Sequence, residues 1–250
     1  MHNTTLYALD FDGVICDSAL ETGLSGWKAA IQIWPDMPTQ PPQLLSDQFR
    51  LVRPILETGY EAILIMRMLF EGETVANVLS SFHENKQAVI DSAKMDVGTL
   101  KKLFGTTRDA WIENDLDTWL AMNPLFPGMV EKLNQLSQQG IWYILTTKQE
   151  RFVTQILNAN QIMLPEQRIF GMDRNRDKDD VLISLVSDHP EATFLFVEDR
   201  LPALLSVKHN QQLQGVGLQL VSWGFNTLQD RQAAEVAGVE VIDLEAFTRL

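Results

Sequence analysis

Apolar positions along the chain change their spacing twice. A short run, Leu6-Tyr7-Ala8-Leu9, stops on Asp10 and has the length of a buried strand. From Asp17-Ser18, where a helix N-cap is expected, to Pro124 the spacing is helical throughout. Trp27, Ala30, Ile31 and Trp34 share a face that Pro35 closes, and Pro38, Pro41 and Pro42 mark a loop. Leu51, Val52, Ile55 and Leu56 resume the helical period. Residues 60–70 are apolar nearly all round, which predicts a buried helix. Val75, Val78, Leu79 and Phe82 continue the pattern, as do Leu100, Leu103 and Phe104, and a helix over 111–122 closes the segment.

From Leu125 onward, helical and strand-like stretches alternate. A helix is expected to start at Pro127, with Met129, Val130, Leu133 and Leu136 as its buried stripe and Gly140 at its end. Strands are expected over 141–145, 168–170, 193–197 and 216–221, with an edge strand over 239–242. Between them lie helical stripes at Phe152, Val153, Ile156 and Leu157 and at Val181, Leu182, Leu185 and Val186. Further helices begin near Pro202 and cover 228–237. Such alternation implies an α/β fold, a parallel sheet covered by helices on both faces. The strand before Asp10 is expected to join that sheet. Residues 1–17 and 125–250 then form one α/β core domain, and 18–124 an inserted all-helical domain.

Composition narrows the partners. Apolar residues make up 45% of the 250 positions and charged ones 21%, enough for real cores in a globular chain. A formal net charge of -13 argues against non-specific binding to nucleic acid or an anionic membrane. It does not exclude an anionic substrate, because a bound cation can override the global sign locally. Cys16, the single cysteine, has no partner for an internal disulfide and follows apolar Val14-Ile15, as a packed thiol in a reducing compartment would. The densest apolar run, 62–70, is interrupted by Arg67 and is too short to span a bilayer. No basic, apolar and small-residue order of a leader is visible, so the cytoplasm is the expected location.

Candidate chemistry collects where strands end. Asp10 and Asp12 are two apart, so in extended backbone they face the same side. Gly13 allows a positive φ or a close approach to the backbone. Ligands of open α/β sheets sit outside the carboxyl ends of the strands, where this pair would lie. The next core strand ends Thr146-Thr147-Lys148 and a later one Glu198-Asp199, while Lys178 opens a helix after the polar loop 171–177. Each has a plain structural reading: Asp12-Gly13 as a turn, Thr146 as a cap, Lys178 as one loop charge, Glu198-Asp199 as helix-start acids. Together, two acid clusters, a hydroxyl and a cation on one sheet edge are hard to explain as solvated surface.

This ordered set resembles the haloacid dehalogenase superfamily, in particular its phosphoglycolate-phosphatase and β-phosphoglucomutase-like branch. Asp10-x-Asp12-Gly13-Val14 is similar to the first motif of that family, Thr146 to the second, Lys178 to the third and Glu198-Asp199 to the fourth. Asn123-Pro124-Leu125-Phe126-Pro127-Gly128 resembles the return from an inserted cap, and Trp223-Gly224-Phe225 a segment after the fifth strand. Lys178 is followed by Asp179 where members often have proline, and Arg200 and Ala203 stand where a small residue and an aspartate are common. The resemblance covers residues 5–227 and implies a Rossmann-like fold with a helical cap.

Four acids at one edge would repel each other by roughly 4 kcal/mol per close pair at an effective dielectric near 20. A hard divalent cation resolves that repulsion, and Mg²⁺ suits carboxylate and phosphate oxygens. The resemblance then implies Asp10 and Asp199 as side-chain ligands, Asp12 through its carbonyl, and Glu198 directly or through water. It implies Asp10 as nucleophile towards phosphorus and Asp12 as acid and base, with Thr146 and Lys178 donating to the phosphoryl oxygens. The namesake dehalogenation is rejected, since it needs neither a Mg²⁺ cluster nor an acid at Asp12. The implied activity is phosphate release from a small phosphorylated metabolite. The alternatives are a phosphosugar mutase and a catalytically weak binding protein.

Thr147, Arg53 and Arg67 are the candidate substrate contacts beyond these motifs. Arg53 has a structural reading as an i, i+4 pair with Glu57. Arg67, on a helix with hardly any polar face, must snorkel, pair or face a polar cleft. Its structural reading is an ion pair with Glu57 or Glu61. Its functional one is a guanidinium fork on an anionic leaving group.

Overall fold

The computed structural model describes residues 5–249 and divides into two compact units. One is Ser18–Pro124; the other runs up to Asp17 and resumes at Leu125.

The first unit consists of α1 (Ala19–Ile33), α2 (Gln43–Val52), α3 (Glu61–Phe70), α4 (Val75–Ala93), α5 (Val97–Asn114) and α6 (Leu116–Ala121). Thr74 and Asp96 cap α4 and α5 by accepting from the backbone N–H groups of Asn77 and Thr99. Ala62 to Met66 are fully buried, as the composition of α3 predicts. Helix α1 packs tightly on it: a Cβ on Gly26 would come 2.6 Å from the Ala62 carbonyl carbon. Two elements differ from expectation. The helical period through Leu56 stops at Val52, because Pro54 has no N–H for the ladder. The chain tightens instead into a 3₁₀ turn, Arg53–Ile55, closed by Leu56 N–H on the Arg53 carbonyl at 3.1 Å. The helix over 111–122 is split at Asp115, whose non-helical backbone lets its side chain accept from Thr118 N–H at 3.1 Å and start α6 afresh.

The second unit is built on β1 (Thr5–Leu9), β2 (Trp142–Leu145), β3 (Ile169–Phe170), β4 (Thr193–Glu198), β5 (Gly217–Val221) and β6 (Glu240–Ile242). Among the described residues they form one parallel sheet, ordered β3-β2-β1-β4-β5-β6. Its helices are α7 (Met129–Gln139), α8 (Glu150–Ala159), α9 (Lys178–Asp188), α10 (Leu201–His209), α11 (Leu228–Val236) and α12 (Leu244–Thr248). Leu6, Ala8, Leu145, Phe194 and Phe196 pack on one face with Leu182 and Leu185 of α9 and Leu204 and Val207 of α10. Trp142 turns to the other face, where its indole N–H donates to Ser137 Oγ of α7 at 2.9 Å. Helix α7 starts at Met129 and not at Pro127, because Gly128 at φ +77° must turn the chain first. Helix α12 has no counterpart in the sequence reading. Cys16 is buried, and no described helix is long and apolar enough to cross a membrane.

Register fixes which residues meet at the carboxyl edge. Leu9 lies opposite both Ile144 and Val197. Asp10 therefore sits level with Glu198, and the backbone N–H of Asp10 donates to Val197 O at 2.9 Å.

Candidate active site

Beyond β1 the chain folds back at once. Ile15 and Cys16 N–H groups both donate to the Phe11 carbonyl at 2.9 Å, and Gly13, at φ +89°, donates to the Cys16 carbonyl. This tight loop holds Asp10 and Asp12 at the sheet edge. Lys178, the first residue of α9, reaches into it and bridges two carboxylates, with Nζ 2.8 Å from Asp10 Oδ1 and 2.6 Å from Glu198 Oε2. Burial pushes the Asp10 carboxyl up to about 7, helped by the Glu198 charge and opposed by Lys178. For Lys178 burial pulls the other way, but the Asp10 and Glu198 charges outweigh it and hold the ammonium protonated.

Glu198 and Asp199 are both about 1% exposed. Glu198 Oε1 accepts from the backbone N–H groups of Asp199 (3.2 Å) and Arg200 (3.1 Å), leaving Oε2 to Lys178. Asp199 is gripped by the segment after β5: Phe225 N–H donates to its Oδ2 at 2.7 Å and the Asn226 amide to its carbonyl at 2.9 Å. Side chains at Gly13 or Gly224 would collide with Asp199. The Trp223 indole donates to the Val14 carbonyl at 3.1 Å, tying the same segment to the β1 loop. Asp10, Glu198 and Asp199 each offer an oxygen, and these lie within 4.8 Å of one another. An all-oxygen carboxylate set of this size fits a hard divalent cation.

Thr146 is fixed by its N–H on the Phe170 carbonyl (2.9 Å), and its Oγ1 accepts from Lys148 N–H at 3.1 Å. That leaves the Thr146 O–H to donate. Thr147, the next residue, is exposed. Lys148 is the residue that strand-end reasoning passes over. Its Nζ is 2.9 Å from Asp12 Oδ1 and its side chain is 2% exposed. The signal was available: Lys148 is two positions beyond Thr146, and residues two apart at a strand end share a side.

Arg53 and Arg67 belong to the helical unit. Arg67 Nη1 contacts both oxygens of Asp36 at 2.9 and 2.8 Å, its Nε donates to Glu71 at 2.8 Å, and its guanidinium lies over the rings of Trp34 and Phe70. Its partners are thus Asp36 and Glu71 and not Glu57 or Glu61. Glu61 is taken up by Lys86 at 2.9 Å and by the N–H groups of Glu57 and Thr58. Arg53 is buried, with Nη1 3.4 Å from the Leu56 carbonyl.

No family model and no curated protein matches the sequence. Solved structures do match the fold. A predicted phosphatase from Clostridium acetobutylicum superposes with a TM-score of 0.57 at 15% identity, over 99% of this chain and 97% of its own. A hydrolase of the haloacid dehalogenase-like family from Streptococcus pneumoniae gives 0.57 at 16% identity, over 97% and 94%. A predicted phosphoglycolate phosphatase from Haemophilus somnus gives 0.56 at 19%, over 88% and 86%.

Proposed function

We propose that this chain, which has the haloacid dehalogenase-like fold, is a Mg²⁺-dependent phosphatase that hydrolyses a small phosphorylated metabolite through an aspartyl-phosphate. The observation that carries the reading is Lys178 bridging Asp10 and Glu198 beside Asp199, all at one edge of the sheet. A cluster that sets three buried carboxylates around one partly buried cation is expensive to assemble as mere structure. The phosphatase names of the Clostridium and Haemophilus neighbours agree with it.

Mg²⁺ would be held by Asp10 and Asp199, by the Asp12 carbonyl and by Glu198. When bound it offsets the carboxylate charge and draws electron density from the phosphoryl group. Asp10 attacks phosphorus as the bond to the leaving oxygen breaks, and Asp12 gives that oxygen a proton. Asp12 then takes a proton from the water that attacks the aspartyl-phosphate, releasing phosphate and restoring Asp10. The Thr146 hydroxyl and the Lys178 ammonium donate to the phosphoryl oxygens, where transition-state charge accumulates. The reaction is assigned to the cytoplasm, with neither nucleic acid nor membrane as partner.

The test is phosphate release from phosphoglycolate, hexose phosphates and nucleoside monophosphates, with and without Mg²⁺, for wild type and Asp10→Asn. Mg²⁺-dependent release that disappears, together with phosphoryl labelling, in Asp10→Asn is expected. Normal turnover in Asp10→Asn would overturn the covalent route, and no release from any ester the phosphatase reading itself.

A further inference from the structure

We propose that Lys148 is a positioning residue for Asp12, fixing the carboxylate that moves protons to and from the substrate; this rests on the phosphatase reading above. Two lysines reach carboxylates at the sheet edge. Lys178 holds Asp10 and Glu198, and Lys148 holds Asp12 at 2.9 Å. An ammonium on a 2% exposed side chain has given up most of its hydration, a cost that only a close charge-assisted partner offsets.

Lys148 is itself held from both sides. Its N–H donates to Thr146 Oγ1 at 3.1 Å, and its carbonyl accepts from Met172 N–H at 3.2 Å. Two residues on, Glu150 clamps the loop that leads to α9. Its Oε1 accepts from Gly171 N–H (3.0 Å) and Arg174 Nε (2.6 Å), and its own N–H donates to Asp173 at 2.8 Å. One braced junction therefore sets both the lysine facing Asp12 and the helix that delivers Lys178. A carboxylate tethered at Oδ1 presents its other oxygen from a restricted set of positions. Proton transfer depends steeply on such placement.

The experiment compares Lys148→Met, Lys148→Arg, Asp12→Asn and the double variant Lys148→Met/Asp12→Asn. Substrates are the best alkyl phosphate of the wild-type panel and 4-nitrophenyl phosphate, whose leaving group needs no proton. Lys148→Met is expected to lower kcat on the alkyl ester about tenfold, with KM within about twofold. The loss on 4-nitrophenyl phosphate should be smaller, Lys148→Arg should recover part of it, and the lysine change should add nothing in the Asp12→Asn background. A raised KM at unchanged kcat, or an additive loss in the double variant, would overturn the proposal. If Lys148→Met does not fold, Lys148→Arg carries the same comparison, since it moves the cation while keeping the charge. A wild type without phosphatase activity would refute the earlier reading. An active wild type, impaired by Asp12→Asn but not by Lys148→Met, would refute only this one.

Discussion

The backbone N–H of Phe225 donates to Asp199 Oδ2 at 2.7 Å, so a loop after β5 sets the orientation of a carboxylate at the end of β4. Gly224 makes that contact possible, because any side chain there would strike Asp199, and its Cβ would also lie 2.6 Å from the Gly13 carbonyl oxygen. Gly224→Ala should therefore leave the protein folded and weaken Mg²⁺ binding about tenfold, the size of one misplaced charge-assisted contact. Titration calorimetry would check it, and unaltered affinity would show that the loop does not orient Asp199.

Glu21, fully buried in the helical unit, takes Arg108 through two 2.7 Å contacts, together with the Trp119 indole (3.2 Å) and the Ser25 hydroxyl (2.5 Å). Arg108→Met strands that charge and should cost about 3–5 kcal/mol in urea unfolding. Pairing it with Glu21→Gln should cost less than Arg108→Met alone. A single-variant loss under about 1 kcal/mol would mean that Glu21 is neutral or hydrated in solution.

Arg67 spends its guanidinium on Asp36 and Glu71, both more than half exposed, and on the faces of Trp34 and Phe70. Arg67→Met should lower stability by about 1 kcal/mol and leave KM unchanged. An unchanged melting temperature with a KM raised for the true substrate, but not for 4-nitrophenyl phosphate, would make Arg67 a substrate contact.

Lys86 is raised above its usual 10.5 by its hydrogen bond and charge pairing with Glu61, against the pull of burial. A lysine raised in the folded state binds its proton more tightly there than in the unfolded chain. Its contribution is complete below pH 10.5 and fades as pH climbs through the raised value. Lys86→Met should thus cost about 1 kcal/mol at pH 8, and its gap to wild type should close as pH rises above 10.5. A gap constant from pH 8 to 11.5 would assign the loss to packing of the lysine stem.

The order of elements is legible in the sequence because apolar spacing reports which face each segment buries, a local property. Abrupt ends to apolar runs are likewise local, which is why Asp10, Glu198 and Asp199 stand out before any fold is known. Breaks made by backbone chemistry are harder to read. Pro54 turns a helix into a 3₁₀ turn, Asp115 restarts one, and Gly128 delays another, all without disturbing the apolar period. Pairings are harder still. Lys148 meets Asp12 across 136 residues, and Arg67 meets Asp36 across 31. The Lys148 pairing exists because parallel crossovers place β2 beside β1 with their ends level. An α/β core with acids at its strand ends and a helical insertion was readable from the order of residues alone. Which charge answers which emerges only on folding, because a charge pair is set by distance through space, and spacing along a chain does not encode it.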